Sequence, residues 1–198
     1  MGVMWSFFRN CLNVVSQRIL LLMVLNWLFF GVMFVGALLG QYGFMSSFGW
    51  LPVKDEVFQQ GLEVSPWLVL DIFFFNLVLS GFVLVTLSGL VFFVLSLVFL
   101  SVRAFLWGVL LNGLSTSMFL AAFPTLILEG ECYVLAALAG VNLGLSWFRP
   151  KWAYGGGELS RRESVKMALK DCLRVYVLVA IFLFVAAVVE SVTLILLH

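Results

Sequence analysis

The chain has 198 residues, of which 64% are hydrophobic and only 11% charged, with a formal net charge of +1. Soluble domains carry about 25% charged residues, so this composition, with a mean hydropathy of +1.16, excludes a soluble globular protein and leaves an integral membrane protein. Nucleic acid is not expected as a partner.

The charges are clustered. Ile19 to Val53, Ile72 to Val102, Ala104 to Leu128 and Cys132 to Phe148 carry none, and each approaches the roughly 20 residues that cross a bilayer. Contiguous runs of Leu, Val and Phe, without the alternation of a β-barrel, demand helices, because only hydrogen bonds within the segment satisfy a backbone in lipid. The expected fold is all-α: one polytopic helical bundle over residues 1–198 with about five transmembrane helices, plus an N-terminal interfacial helix.

In chain order, "MGVMWSFFRNCLNVVSQR" has no small-residue cleavage site after its apolar part. It reads as a short interfacial helix with Trp5, Phe7, Phe8, Leu12 and Val15 toward lipid and Arg9, Asn13 and Arg18 toward water. The first span covers about 19–41, with Gly36 and Gly40 allowing close helix contact. Residues 42–66 form a polar, turn-rich loop with Asp55, Glu56 and Glu63. The second span covers about 67–88, starting after Pro66, and Ser88-Gly89 looks like a break. One straight helix over 67–102 would be about 54 Å long, against a hydrocarbon core of about 30 Å. The stretch 89–102 must therefore bend, turn back or run along the membrane surface, which allows a re-entrant or interfacial segment there. The third span covers about 103–119, the fourth about 125–147 and the fifth about 173–197.

With the N-terminus in the cytoplasm, ten of the 11 basic residues fall on or near the inside, Arg103 among them, and only Lys54 lies outside. The positive-inside rule then gives a multi-pass protein of the plasma membrane with its C-terminus, His198, outside. The inner loop holds the basic surface: Arg149, Lys151, Arg161, Arg162, Lys166 and Lys170. Ser160 and Glu163 have capping-box spacing, and Val165, Leu169, Leu173 and Tyr176 follow at helical intervals. This reads as an amphipathic helix resting on anionic lipid before the fifth span. The neighbouring glycines lack the rest of a P-loop.

Ionisable residues inside spans are costly and mark function by default. Two glutamates, Glu129 and Glu131, lie in "AAFPTLILEGECYVLAALAG". If the fourth helix starts near Pro124, Glu129 lies about 8 Å below the outer end, and Glu190 lies about 12 Å in on the antiparallel fifth helix. The two can meet, one holding its proton against an Asn or Tyr such as Asn112, Asn76 or Tyr133. Glu131, about 200° around the helix, faces the outer edge or another helix. Ala136, Gly140 and Gly144 continue the face of Glu129, and Ala186 and Ala187 lie near Glu190. Gly108, Asn112 and Ser115 form a small polar stripe on the third helix. These small residues mark close helix packing. The asparagines, Asn26 and Asn142 included, read as interhelical hydrogen-bond groups.

Catalytic motifs are missing: the single histidine is the last residue, and neither G-x-S-x-G nor H-E-x-x-H occurs. Cys11, Cys132 and Cys172 form no C-x-x-C pair, so they read as small buried apolar residues. No metal, cofactor or enzymatic activity is expected.

"FPTLILEGECYVLAALAGVNLG", followed some thirty residues later by "ALKDCLRVYVLVAIFLFVAAVVESV", resembles the stage II sporulation protein M (SpoIIM-like) family. The resemblance extends to "IFFFN" ending at Asn76, to Asn112-Gly113, to Pro124 with Glu129, and to Ala186, Ala187 and Glu190. Thr125 and Leu126 stand where the family usually has histidine and glycine, and the interval from Asn76 to Asn112 is about ten residues longer than usual. The resemblance implies a multi-pass protein that works with peptidoglycan-degrading partners without being the hydrolase. The expectation is a noncatalytic scaffold or accessory subunit of an envelope or membrane-protein complex. Its partners would be the lipid bilayer, a second copy in a homo-oligomer (a dimer) and other membrane proteins. The alternative is a transporter or channel component using the intramembrane glutamates as a proton or cation site.

Overall fold

The computed structural model describes residues 2–42, 67–112, 114–155 and 160–197. The expected loop at 42–66, apart from Tyr42, and Gly113 lie outside the described residues. Every regular element among those described is helical: α1 (Gly2–Ser16), α2 (Ile19–Gln41), α3 (Trp67–Phe74), a π-helical segment (Phe75–Leu87), α4 (Ser88–Val91), α5 (Phe93–Leu111), α6 (Thr116–Phe148), α7 (Pro150–Tyr154) and α8 (Arg161–Leu197). Five helices are long and apolar enough to cross a membrane: Ile19–Gln41, Val69–Val91, Phe93–Leu111, Met118–Phe148 and Arg161–Thr193. The chain is a multi-pass membrane protein with α6 at its centre. Residues 132–144 of α6 are all buried, packed between α8 on one side and α2, α5 and the second span on the others.

Of the expected alternatives, the segment 89–102 turns back, joining two spans instead of forming a re-entrant or interfacial segment. Its first residues finish the second span, and the chain reverses at Phe92, whose extended backbone (φ −156°, ψ 122°) breaks the helix. Ser96 Oγ then donates to the Val85 carbonyl at 2.7 Å, and Arg103 donates to Asn76 Oδ1 at 3.2 Å. The two spans thus form an antiparallel hairpin. Nine residues separate Val85 from Asn76 but seven separate Ser96 from Arg103, a height of about 10.5 Å in α-helix. The two arms match because i→i+5 bonding packs more residues into each turn of the π segment.

That hairpin moves the third span upstream of the expected 103–119. Its C-cap is Asn112, so Asn112 and Ser115 do not sit within a third span, and Ser115 instead caps α6 by accepting from the Met118 amide. The fourth span starts before Pro124, which lies inside α6. Inside a helix a proline removes one backbone hydrogen bond and its ring crowds the carbonyl of the preceding turn.

The fifth span is also longer than expected. No separate amphipathic helix lies on the surface; α8 runs unbroken for 37 residues, about 55 Å, so its first turns form a stem beyond the hydrocarbon. The capping box at its start is present: Glu163 accepts from the Ser160 amide at 3.0 Å, and Ser160 Oγ accepts from the Glu163 amide at 3.3 Å. The stem buries Ser164, Ala168 and Cys172, not the face of Leu169 and Leu173, which stay exposed. It is α1 that packs along this stem, with Cys11 and Val14 buried and Phe8 and Val15 half-buried. Trp5, Phe7 and Leu12 remain on the outside.

At the same end Arg18 donates to the Ala153 carbonyl at 2.9 Å and stacks on Tyr154. Tyr154 donates to Asp171 at 2.9 Å. Burial pushes the Tyr154 hydroxyl up to about 12, so at neutral pH it stays a donor. These bonds clamp α7 to the α1–α2 corner and to α8. We call this the turn end, because Phe92 lies there too.

Small residues let the backbones meet. A Cβ on Gly36 would strike the Phe105 backbone, one on Gly108 would strike Met33, one on Gly89 would strike Gly140, and one on Gly144 would strike Gly89. Gly140→Val should therefore destabilise the protein by about 2–3 kcal/mol through overpacking. Gly31 has open space around it, and Gly31→Ala should be neutral or gain up to about 1 kcal/mol from helix propensity. Thermal unfolding in detergent checks the pair; equal effects would mean that the glycine seam is not tightly packed.

Candidate functional site

The hairpin register places a cation in the middle of the bundle. Arg103 is ten residues into α5 and eight from its end, some 12–15 Å from either terminus, and not at an inner helix end. Its guanidinium donates to Asn76 Oδ1 at 3.2 Å and to the Tyr133 hydroxyl at 2.8 Å. It also lies 4.7 Å from the Tyr133 ring centroid and 5.3 Å from that of Trp107, a geometry that stabilises a desolvated cation. Tyr133 donates in turn to Asn76 Oδ1 at 2.8 Å. The amide nitrogen of Asn76 donates to Glu129 Oε1 at 2.9 Å. Asn76 thus stands between the guanidinium and the Glu129 carboxyl group, with its carbonyl toward the cation and its N–H toward the acid.

The π segment determines which residues reach this cluster. Its buried positions are Asn76, Ser80, Gly81, Val85 and Thr86, a set repeating at intervals of five, as i→i+5 bonding requires. Further toward the turn end, Thr86 donates to the Ala136 carbonyl at 2.9 Å and shares a 2.6 Å hydrogen bond with Tyr176. The Gly89, Gly140 and Gly144 contacts follow below it. That half of the bundle is closed.

The other half is open. A cavity of about 940 Å³ is lined by Asp71, Asn76, Arg103, Trp107, Glu129 and Glu190, with Ile72, Phe74, Phe75 and Val78 completing its wall. Glu129 is 13 residues from the start of α6, about 20 Å along the helix rather than near its outer end, and is 5% exposed. Glu190 lies higher. Cys132 Sγ approaches the Val179 carbonyl at 3.8 Å, so Glu190 stands about two turns beyond Glu129 on the antiparallel α8. Asp71 is five residues above Asn76 in α3. The two glutamates therefore line one cavity at different depths, with Asp71 between them, and the cavity holds three carboxylates against one guanidinium. Among the described residues, neither Arg103 nor these carboxylates form an ion pair within 4 Å, and no three His, Cys, Asp or Glu converge as metal ligands.

Glu131 is half-buried on the other side of α6 and accepts from Asn26 of α2 at 3.4 Å. Asn112 lies at the end of α5, donating to the Ala37 carbonyl at 2.6 Å, away from the cluster. Asn142 donates to Tyr154 at the turn end. Ala136, Gly140, Gly144, Ala186 and Ala187 are buried and fill helix seams. Arg149, Lys151, Arg161, Arg162, Lys166 and Lys170 are all exposed. Sequence reasoning weighs Arg103 as a partner of the glutamates but sets it aside as the inner end of the third helix, and it misses Asp71. The five-residue steps from Asp71 to Asn76, Gly81 and Thr86 were the available signal, one that α-helical periodicity passes over.

Glu129→Gln keeps an acceptor for Asn76 and should stay within about 1 kcal/mol of the parent, whereas Glu129→Ala leaves the amide unpaired and should cost about 1–3 kcal/mol. Asn76→Leu strands Arg103, Tyr133 and Glu129 together and should cost more than either. Unfolding midpoints of the three variants in one detergent test this order; Asn76→Leu as mild as Glu129→Gln would dissolve the idea of a connected cluster.

Among curated proteins and solved structures, none matches the chain. The model of the family described as SpoIIM, stage II sporulation protein M, matches residues 29–193, a stretch running from the first span to the last and containing every residue of the cavity. Over that length the chain belongs to the stage II sporulation protein M family.

Proposed function

We propose that the protein is a noncatalytic transport or channel component in which Glu129 and Glu190 take up a proton or other cation from one side of the membrane. The observation that carries this reading is the cavity that both glutamates line together with Asp71. Dry helix packing has no use for a space of this kind, and carboxylates at membrane depth are retained where they face a wetted path. Arg103, bridged to Glu129 by Asn76, supplies an internal positive charge at the floor, so an arriving cation weakens the hold of Arg103 on that carboxylate. The packed half below Tyr133 ends the cavity at the cluster, which suits a binding station and not an open pore.

The orientation belongs to the same proposal. Arg9, Arg18, Arg149, Lys151, Arg161, Arg162, Lys166, Lys170 and Arg174 gather at the turn end of the sequence topology, while Lys54 falls at the other, which puts the turn end and the N-terminus in the cytoplasm and opens the cavity outward. A second reading, a scaffold or accessory subunit of an envelope complex in the plasma membrane, acting as a homo-oligomer with other membrane proteins, is favoured by the exposed basic end as a docking surface.

Reconstitution into vesicles under a proton or sodium gradient separates the two. The transport reading expects a flux that falls about tenfold or more in Glu129→Gln, through loss of the ionisable group, in protein that remains folded. No flux from the chain alone, together with stable co-purification of another membrane protein, would give the second reading the ground. Labelling of an engineered cysteine at Lys151 from outside intact cells would reverse the orientation.

A further inference from the structure

The elbow between the fourth and fifth spans carries a feature that the cavity does not use. Trp147 is 50% exposed and Trp152 is 69% exposed, and Arg149 stacks over the Trp152 ring at 5.2 Å. Lys151 is exposed beside them. The hydrogen bond from Tyr154 to Asp171 fixes the level of this elbow against α8, so the exposed Lys166 and Lys170 stand within about 8 Å beyond it along the helix. We infer that Arg149 and Lys151 with the two tryptophans on the elbow, and Lys166 and Lys170 about 100–140° around α8 from Asp171, form a belt at one level that docks the anionic headgroups of membrane phospholipids at the turn end.

Three observations favour a lipid over an acidic protein. The surface is continuous with the lipid-facing side of the fifth span through Leu169 and Leu173, the latter 70% exposed. Tryptophan rings at a helix end partition to the headgroup level, where basic side chains meet anionic lipid. The described acidic residues of this end are already engaged: Asp171 by Arg174 and Tyr154, and Glu163 by its own cap. The positive charge is therefore not cancelled internally. The fold also differs from a helix lying flat, because the basic stem of α8 stands up from the membrane. Its two lysines nearest the elbow meet headgroups, and Arg161 and Arg162 reach beyond them.

The test uses the full chain purified in a neutral detergent and offered phosphatidylglycerol or phosphatidylcholine of the same acyl chains, read by native mass spectrometry and by the unfolding midpoint. The expected result is preferential retention of phosphatidylglycerol and a rise in midpoint with that lipid alone. Arg149→Gln with Lys151→Gln should reduce the preference about tenfold, as should Lys166→Gln with Lys170→Gln, with helicity unchanged because all four side chains are exposed. Should either pair fail to fold, salt titration of the unmodified chain reads the same contact. A preference undiminished up to about 1 M salt, where screening is nearly complete, overturns the inference. Equal retention of the two lipids overturns it too, as does equal stabilisation by inorganic phosphate, which would mean a soluble-anion site.

Discussion

A guanidinium in the middle of a hydrophobic bundle is the constraint around which this structure is arranged. A charge at that depth costs several kcal/mol unless protein groups replace its water, and Arg103 meets that demand from three neighbours. The π segment brings Asn76, α6 brings Tyr133, and α5 itself brings Trp107 one turn on. The carboxyl group of Glu129 is held one amide away. Such an arrangement is worth having only if the helices that supply it keep one relative height, and the tight reversal at Phe92 secures that height for the second and third spans.

The same requirement divides the molecule into two halves. Toward the turn end, glycines on α4 and α6 bring the backbones together, with Ser96 bonded into the same seam. The clamp of Arg18, Tyr154 and Asp171 ties the amphipathic α1 and the stem of α8 to that end. Away from it, α3 packs on α8 through Phe73 and Phe184, and the carboxyl groups of Asp71, Glu129 and Glu190 line the cavity beside that contact. A closely packed base and an open upper half leave the polar cluster at the floor of the cavity.

Individual elements show where sequence reasoning works on a membrane chain. The first span was legible to the residue, because its apolar run has clear polar limits and α-helical geometry throughout. The capping box at Ser160 and Glu163 was legible for the same local reason. The other boundaries were not. Arg103 looked like the edge of a span, since a charge in hydrocarbon is ordinarily a boundary, and Pro124 looked like a helix start, since proline favours the first turn. For Arg103, groups on other helices replace the water that the charge gives up, whereas Pro124 is exposed on a helix that begins about two turns earlier.

By itself, the sequence determined the class, the number of spans and the family, because hydropathy, charge clustering and motifs are properties of the chain and need no partner helix. Only the tertiary structure decided which groups meet. A 13-residue π segment changes both the rise and the face of every residue above it, so the pairing of Asn76 with Arg103 and Glu129 could not be reached by counting α-helical turns. The separation of Glu129 from Glu190, and the dispatch of Glu131 and Asn112 to other seams, likewise follow from helix register. Register is a relation between helices, set by the Phe92 reversal and the glycine contacts, and no single stretch of residues contains it.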